Sequence, residues 1–289
     1  MTATLEQLTH FAARHAEPGV IVLPNAWDPG SAVLMAQAGF EAIATTSAGI
    51  AHSLGVPDGA LGRDEMLVQI ERIARAVPVP VTADLEDGYG ALAEDVAFTI
   101  AAAVEAGLAG GNIEDSGVDG DPALIDMERA CDRLRAAREA ITRAGRPFVL
   151  NARTDPYLAQ RDAGSAEENF AEAVRRARAY VAAGADCVFV PGPMDAATVG
   201  RLAAAIAAPL NVLGGRAGRE AALTVPDLER LGVRRVSVGG SLALAAMGFV
   251  REALAGMGRG AIAFGPGAPT NAEMNKLMAR GASMRMPPA

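Results

Sequence analysis

Three carboxylates, Asp84, Glu86 and Asp87, fall within four residues directly after the β-branched apolar run Val77–Thr82. A strand that ends in clustered acids sets them at its C-terminal mouth, where they repel one another unless a cation sits between them. On a continuing strand Asp84 and Glu86 share one face and Asp87 points the other way. Hard oxygen ligands grouped in this way suit Mg²⁺ or Mn²⁺. The same residues in a surface turn or helix cap would carry no chemistry. The stretch alone leaves both readings open.

The elements that must position these acids follow from the rest of the chain. Apolar strand-like runs occur at Gly19–Leu23, Ala42–Thr45, Val77–Thr82, Gly111–Asp115, Pro147–Leu150, Cys187–Val190, Pro209–Leu213 and Arg235–Val238. Helical runs separate them, among them Arg63–Ala76 with apolar residues at Met66, Leu67, Ile70 and Ile73. Eight alternations with short loops predict parallel strands with helical crossovers. Their length, about 240 residues, predicts a closed (β/α)₈ TIM-type barrel rather than an open doubly wound sheet. No Gly-x-Gly-x-x-Gly follows the first strand, against a dinucleotide site. The barrel is expected to span residues 1–257, and a C-terminal helical tail residues 258–289.

Barrel strands direct their C-terminal ends at the active face. Polar groups collect at those ends here: Asn25 and Asp28, Thr46 and Ser47, Asp84 and Glu86, Glu114, Asn151 and Arg153, and Asn211. Their convergence turns the acidic stretch from a turn into a candidate metal site.

Composition narrows the function. About half of the 289 residues are hydrophobic, enough for a sizeable core. A net charge of −8 argues against a nucleic-acid surface and leaves small anionic substrates open. No run of about 18 uncharged apolar residues appears, so no membrane partner is expected. The N-terminus lacks the basic flank and apolar core of a signal peptide, and the two cysteines, Cys131 and Cys187, fit no metal or redox motif. A soluble cytoplasmic protein is the expectation, with Cys131 a buried helix residue. The single lysine, Lys276, lies beyond the barrel, so Schiff-base chemistry would require the tail to fold back.

At Leu23–Asp28, Thr46–Gly49, Leu54–Asp58, Ala83–Gly90, Asn112–Asp115 and Asn151–Asp155 the sequence resembles the isocitrate lyase / phosphoenolpyruvate mutase superfamily. Asn211 extends the match. The resemblance implies that Asp84 is the principal Mg²⁺ (or Mn²⁺) ligand. Glu86 and Glu114 would complete the carboxylate shell, with Asp58 near the same centre. It implies that Thr46, Ser47 and Ala48 hold the substrate carboxylate, with Asn211 and Trp27 also on the substrate side. Arg153 would approach the substrate oxygens from the far side. A metal and a planar guanidinium suit the charge that develops when a bond to C3 of a 2-oxo acid breaks. Local alternatives remain: Arg153 as an ion-pair partner of Asp155, Asp58 as the cap of the Pro57-Asp58-Gly59 turn, and Trp27 as barrel-mouth packing; His52 reads as a solvent-facing residue.

The lyase branches carry Lys/Arg-Cys-Gly-His on the loop after strand four, and the phosphonate branches place Lys and Asn there. Here Ser116–Pro122 holds none of these, and its Gly and Asp content suggests a flexible gate. The departure favours reactions that ask little of the loop. The expected function is Mg-dependent cleavage of a carbon–carbon bond in a small 2-oxo or 2-hydroxy polycarboxylate: isocitrate- or 2-methylisocitrate-like cleavage with another acid, or oxaloacetate-type decarboxylation. A phosphonopyruvate P–C mutase or hydrolase and a non-catalytic 2-oxo-acid-binding barrel are the alternatives. The resemblance also implies a homo-oligomer, dimer or tetramer, with the tail helix crossing to a neighbouring subunit.

Overall fold

Pro24 decides how the sheet closes. It has no N–H, and it divides the first strand into β1 (Ile21–Leu23) and β2 (Asn25–Ala26). The computed structural model describes residues 2–117, 123–159, 165–193, 195–215, 223–262 and 267–284. The other strands are β3 (Ile43–Thr45), β4 (Val81–Asp84), β5 (Gly110–Glu114), β6 (Val149–Arg153), β7 (Cys187–Phe189), β8 (Leu210–Leu213) and β9 (Arg235–Ser237). All pair in parallel, in the order β1-β9-β8-β7-β6-β5-β4-β3-β2. β1 bonds to β9 and β2 to β3, while the Pro24 carbonyl accepts from Ala44 N–H at 2.9 Å. One segment therefore serves both edges, and the expected eight-stranded barrel results. Asn25 rivets this seam: its amide donates to Thr45 O at 2.6 Å and its Oδ1 accepts from Val238 N and Gly239 N.

The helices are α1 (Leu5–Arg14), α2 (Pro29–Gln37), α3 (Ser47–Ser53), α4 (Arg63–Ala74), α5 (Ala93–Glu105), α6 (Met127–Ala144), α7 (Pro156–Ala159), α8 (Ala166–Ala182), α9 (Ala196–Ala205), α10 (Val225–Arg230), α11 (Ser241–Met257) and α12 (Asn271–Met284). Alternate strand residues face outward to them. Ile43, Val81, Ala83, Ile113, Leu150 and Ala152 pack with Ile70, Ile73, Val96, Ile100 and Leu134. Val188, Val212 and Val236 pack with Val199, Leu202 and Leu228. Beneath the barrel, Leu8 and Phe11 of α1 cover Ile21, Leu23, Ala44, Val149 and Cys187.

Two expectations change. β4 stops at Asp84, and Glu86 lies in a turn with φ +49°, so the two acids are not alternate residues of one strand. The loops expected after the second and fifth strands contain the short helices α3 and α7. The tail helix α12 lies against α2, where Gln37 Nε2 donates to Leu277 O at 2.5 Å. Cys131 and Cys187 are buried free thiols, Cys131 within α6 as expected. Of the expected gate, residues 118–122 lie outside the described residues.

Candidate active site

The site begins where β3 turns into α3. Thr46 caps the helix, its Oγ1 accepting from Gly49 N–H at 3.3 Å. Ser47 then offers two donors to one carboxylate: its N–H lies 3.2 Å and its Oγ 3.0 Å from Asp84 Oδ2. The same hydroxyl lies 3.3 Å from Asp58 Oδ1, but it has one proton to give, and Asp84 is the nearer partner. Asn112, beside Asp84 in the β4–β5 register, donates to Asp84 Oδ1 at 2.9 Å. Asp84 is thus fixed from both sides with lone pairs still open to the cavity.

The chain beyond Asp84 is bent tightly. Glu86 and Tyr89 are the two non-glycine residues with positive φ among those described, and Gly88 lies at φ +89°. A Cβ on Gly88 would also come within 2.9 Å of Val96, so glycine is required there on two counts. Strain of this kind persists only where the surroundings over-determine it. Here they do. Tyr89 N–H donates to Asp87 Oδ1 at 2.8 Å, and Thr99 Oγ1 donates to Gly88 O at 2.7 Å. Arg63 holds Tyr89 O at 2.7 Å, and Arg133 holds Gly90 O at 2.8 Å together with Asp87 O. The result turns the Glu86 carboxyl into the cavity, with Oε1 buried and unpartnered.

Opposite stands Arg153, at the end of β6. Its Nε and one NH₂ fork onto Asp155, each at 2.8 Å, and the other NH₂ lies 2.5 Å from Glu114 Oε2. The Phe189 ring packs against it, 5.7 Å away. Asp155 is held in turn by Ser116 Oγ at 2.7 Å and by its own N–H to Asp115 Oδ1 at 3.0 Å. Both readings of Arg153 are therefore realised: it is ion-paired, and it faces the cavity.

The cavity, about 580 Å³, is lined by Ser47, Asp58, Glu86, Tyr89, Glu114 and Arg153 among others. A narrower inner cavity of about 230 Å³ shares Ser47, Asp58 and Arg153 with it and adds Thr46, Ala48 and Asp84. Burial, reinforced by Asp84, Asp58 and Asp87, pushes the Glu86 carboxyl up to about 8. Burial and Asp84 likewise raise Asp58. Glu114 is pushed well upward by burial, with Arg153 pulling the other way.

Most expected site residues share these two cavities: Thr46, Ser47, Ala48, Asp58, Asp84, Glu86, Glu114 and Arg153. Trp27 and Asn211 line neither. Trp27 packs on the barrel core beside Gly49, and Asn211 is buried on β8. The expected Asp84–Glu86–Glu114 ligand set is not drawn together either, because Glu114 is turned onto Arg153. Among the described residues no three His, Cys, Asp or Glu side chains converge as a metal site. The donor chemistry nonetheless fits a hard divalent cation: Asp84 is oriented by its donors, and Glu86 has a free buried oxygen and is pushed upward by burial and by its neighbours' charge. Asn112 and Tyr89 are the contributors that sequence reasoning assigned no role. Only the β4–β5 register sets Asn112 beside Asp84.

Residues 11–257 match the family model described as phosphoenolpyruvate phosphomutase. A 2-methylisocitrate lyase of Salmonella typhimurium is 36% identical over 187 residues, 62% of this chain and 60% of that protein. A solved 2,3-dimethylmalate lyase superposes with a TM-score of 0.84 at 28% identity, covering 99% of this chain and 97% of the other. An oxaloacetate acetylhydrolase structure, in complex with the product oxalate, superposes with a TM-score of 0.85 at 25% identity, covering 98% and 97%.

Proposed function

This chain belongs to the phosphoenolpyruvate phosphomutase family, within the isocitrate lyase / phosphoenolpyruvate mutase superfamily, and from that premise we propose that it is a divalent-metal-dependent carbon–carbon lyase acting on a small 2-oxo or 2-hydroxy polycarboxylate. The observation that carries the reading is a pair of cavities that share one fixed, part-buried guanidinium, Arg153, and are lined by the carboxylates of Asp84, Asp58 and Glu86. Asp84 and Glu86 would hold the Mg²⁺ or Mn²⁺. The ion, when bound, would supply a Lewis acid for the substrate's carboxylate and keto or hydroxyl oxygens.

The protein's own groups do the rest. Arg153 is held by Asp155 before substrate arrives, so it stabilises developing negative charge without reorganising. Thr46 and Ala48, on the cavity wall at the start of α3, take the substrate carboxylate. Glu114, with its affinity for a proton raised by burial and its oxygen on Arg153, can relay a proton at the opposite wall. Asp58 lies at the mouth, its residue open to solvent and its carboxyl partly shielded within reach of the Ser47 hydroxyl, and suits proton delivery from solvent. Neither role needs a cysteine on the loop after β5. The family model itself favours a second reading, phosphonopyruvate P–C bond chemistry, in which the same residues hold an enolpyruvate fragment.

The lyase is also proposed to be a homo-oligomer. Leu244, Phe249, Val250 and Leu254 of α11 are each more than half exposed, an apolar face suited to a second copy. No described helix is long and apolar enough to cross a membrane.

The test is mass spectrometry of reactions with oxaloacetate, isocitrate, 2-methylisocitrate, 2,3-dimethylmalate and phosphonopyruvate, with Mg²⁺ or EDTA, beside an Asp84→Ala control. Carboxylate cleavage that needs Mg²⁺ and Asp84 supports the lyase. Phosphoenolpyruvate or phosphate release selects the second reading. No turnover of any substrate by the wild type would sink both.

A further inference from the structure

Arg235 is 2% exposed, and it is one of the largest fully buried side chains in the protein. It lines the inner cavity, together with Asp84, Asn112, Arg153 and Ser237. A guanidinium has five N–H donors. Here the nearest partners are distant: Thr82 Oγ1 at 3.4 Å from NH2 and His15 Nε2 at 3.5 Å from NH1. Nε has no partner. His15 contacts the Phe11 carbonyl through Nδ1 at 2.9 Å, which places its proton there and leaves Nε2 as a neutral acceptor. No carboxylate pairs with Arg235 among the described residues, and burial lowers its pKa. A buried cation without an anion is among the most costly arrangements in a protein interior.

The neighbours of Arg235 are also underused. Asn211 Oδ1, on the adjoining strand, is buried without a partner, and so are both amide atoms of Asn151. The sheet register locates Arg235 relative to the reaction. Arg153, Phe189, Asn211 and Arg235 form one row across β6, β7, β8 and β9. With strands about 4.8 Å apart and tilted about 36°, each step along a row descends about 3 Å along the barrel axis. Three steps set the Arg235 backbone about 8 Å below that of Arg153. Thr82, which Arg235 reaches, lies two residues before Asp84 on the same face of β4, about 7 Å back along the strand.

We propose that the inner cavity is a second anion subsite, in which Arg235 takes the carboxylate of the substrate remote from Arg153. This rests on the lyase reading above and narrows its substrate to acids with two carboxylates spaced for both arginines. Ser237, whose Oγ accepts from the Asn211 amide behind it at 3.5 Å, adds a hydroxyl to the same floor, and Phe189 and Leu213 form the apolar wall between the two ends. The subsite gives the buried charge a reason to be retained: it is unpaired in the free enzyme so that it can pair in the complex.

Binding of succinate and of butyrate, equal in length and different by one carboxylate, is measured by calorimetry on the wild type, Arg235→Met and Arg235→Lys. The thermal midpoint of each unliganded protein is read alongside. The wild type should prefer succinate by at least about tenfold, Arg235→Met should lose that preference, and Arg235→Lys should keep part of it. Unliganded Arg235→Met should melt no lower than the wild type, because an unpaired buried charge has been removed. A lower midpoint with the succinate preference intact would make Arg235 a structural plug bonded to Asn211 and overturn the proposal. So would a wild type without the preference. Because succinate is not a 2-oxo acid, an Arg235-dependent preference in a protein that turns over none of the lyase substrates would leave the subsite standing and the lyase reading refuted.

Discussion

Glu114 and Asp115 are consecutive, yet their side chains enter two acidic clusters with opposite bookkeeping. Asp115 points away from the barrel axis. Its carboxylate receives Thr154 Oγ1 at 2.7 Å, Tyr180 OH at 2.6 Å, Arg176 at 3.1 Å and the Asp155 N–H at 3.0 Å. Glu114 points inward, to a wall shared with Asp84, Asp58 and Glu86, where Arg153 is the one guanidinium that lines the main cavity. Burial pushes both carboxyls upward, but around Asp115 three hydrogen-bonding side chains oppose it, and around Glu86 the neighbouring acids reinforce it. A saturated polar cluster holds a structure in place. An unsaturated one of single sign is held ready for a ligand of the other sign.

The largest effect should come from the unsaturated cluster. Asp84→Ala is expected to lower kcat/KM at least about a thousandfold, roughly 4 kcal/mol, while the urea midpoint stays level or rises. A variant that lost activity only by unfolding would erase the contrast. The saturated cluster should respond the other way. Arg176→Leu is expected to cost about 3 kcal/mol in urea unfolding, since it leaves Asp115 buried with fewer donors, and the Mg²⁺ dependence of the surviving activity should not change. Equal stability in variant and wild type would show that the cluster is not structural.

The third expectation uses pH. Glu86 has a folded value of about 8 against 4.5 unfolded, so between them the folded protein binds more protons than the unfolded chain. Stability of the metal-free protein should therefore fall as pH rises from 4.5 and level off above about 8. The loss should be on the order of 2 kcal/mol once solvent around the half-buried side chain is allowed for. Glu86→Gln should flatten this slope, and added Mg²⁺ should stabilise more at pH 8 than at pH 5. A flat wild-type profile in EDTA would contradict the unsaturated picture. The smallest effect is expected at Asn112→Ala, where Asp84 loses one orienting donor. Activity should drop about tenfold, with weaker apparent Mg²⁺ affinity and little change in stability.

The sequence carried the alternation of strand and helix because outward-facing residues such as Val81, Ile113 and Val188 repeat with the period of a strand. It also carried the acids and Arg153, since polar groups that interrupt apolar runs at strand ends are visible without coordinates. It did not carry what depends on register or on special dihedrals. Glu86 reaches the cavity from a left-handed turn rather than from a strand face, and Asn112 matters because it lies beside Asp84. Asn211 and Trp27 were placed by analogy at strand ends, but one points into the closed barrel and the other into its packing. Arg235 read as one more basic residue at the start of a strand. Its inward direction follows only from the barrel's closure.

The divided first strand has a consequence for handling the protein. Because residues 21–26 complete both β9 and β3, the fold has no dispensable edge strand. A chain shortened past Ala26 would lose two ladders at once and bare two parallel edges, each an open template for pairing with another molecule. N-terminal trimming, harmless in many domains, would here turn the barrel into a seed for aggregation.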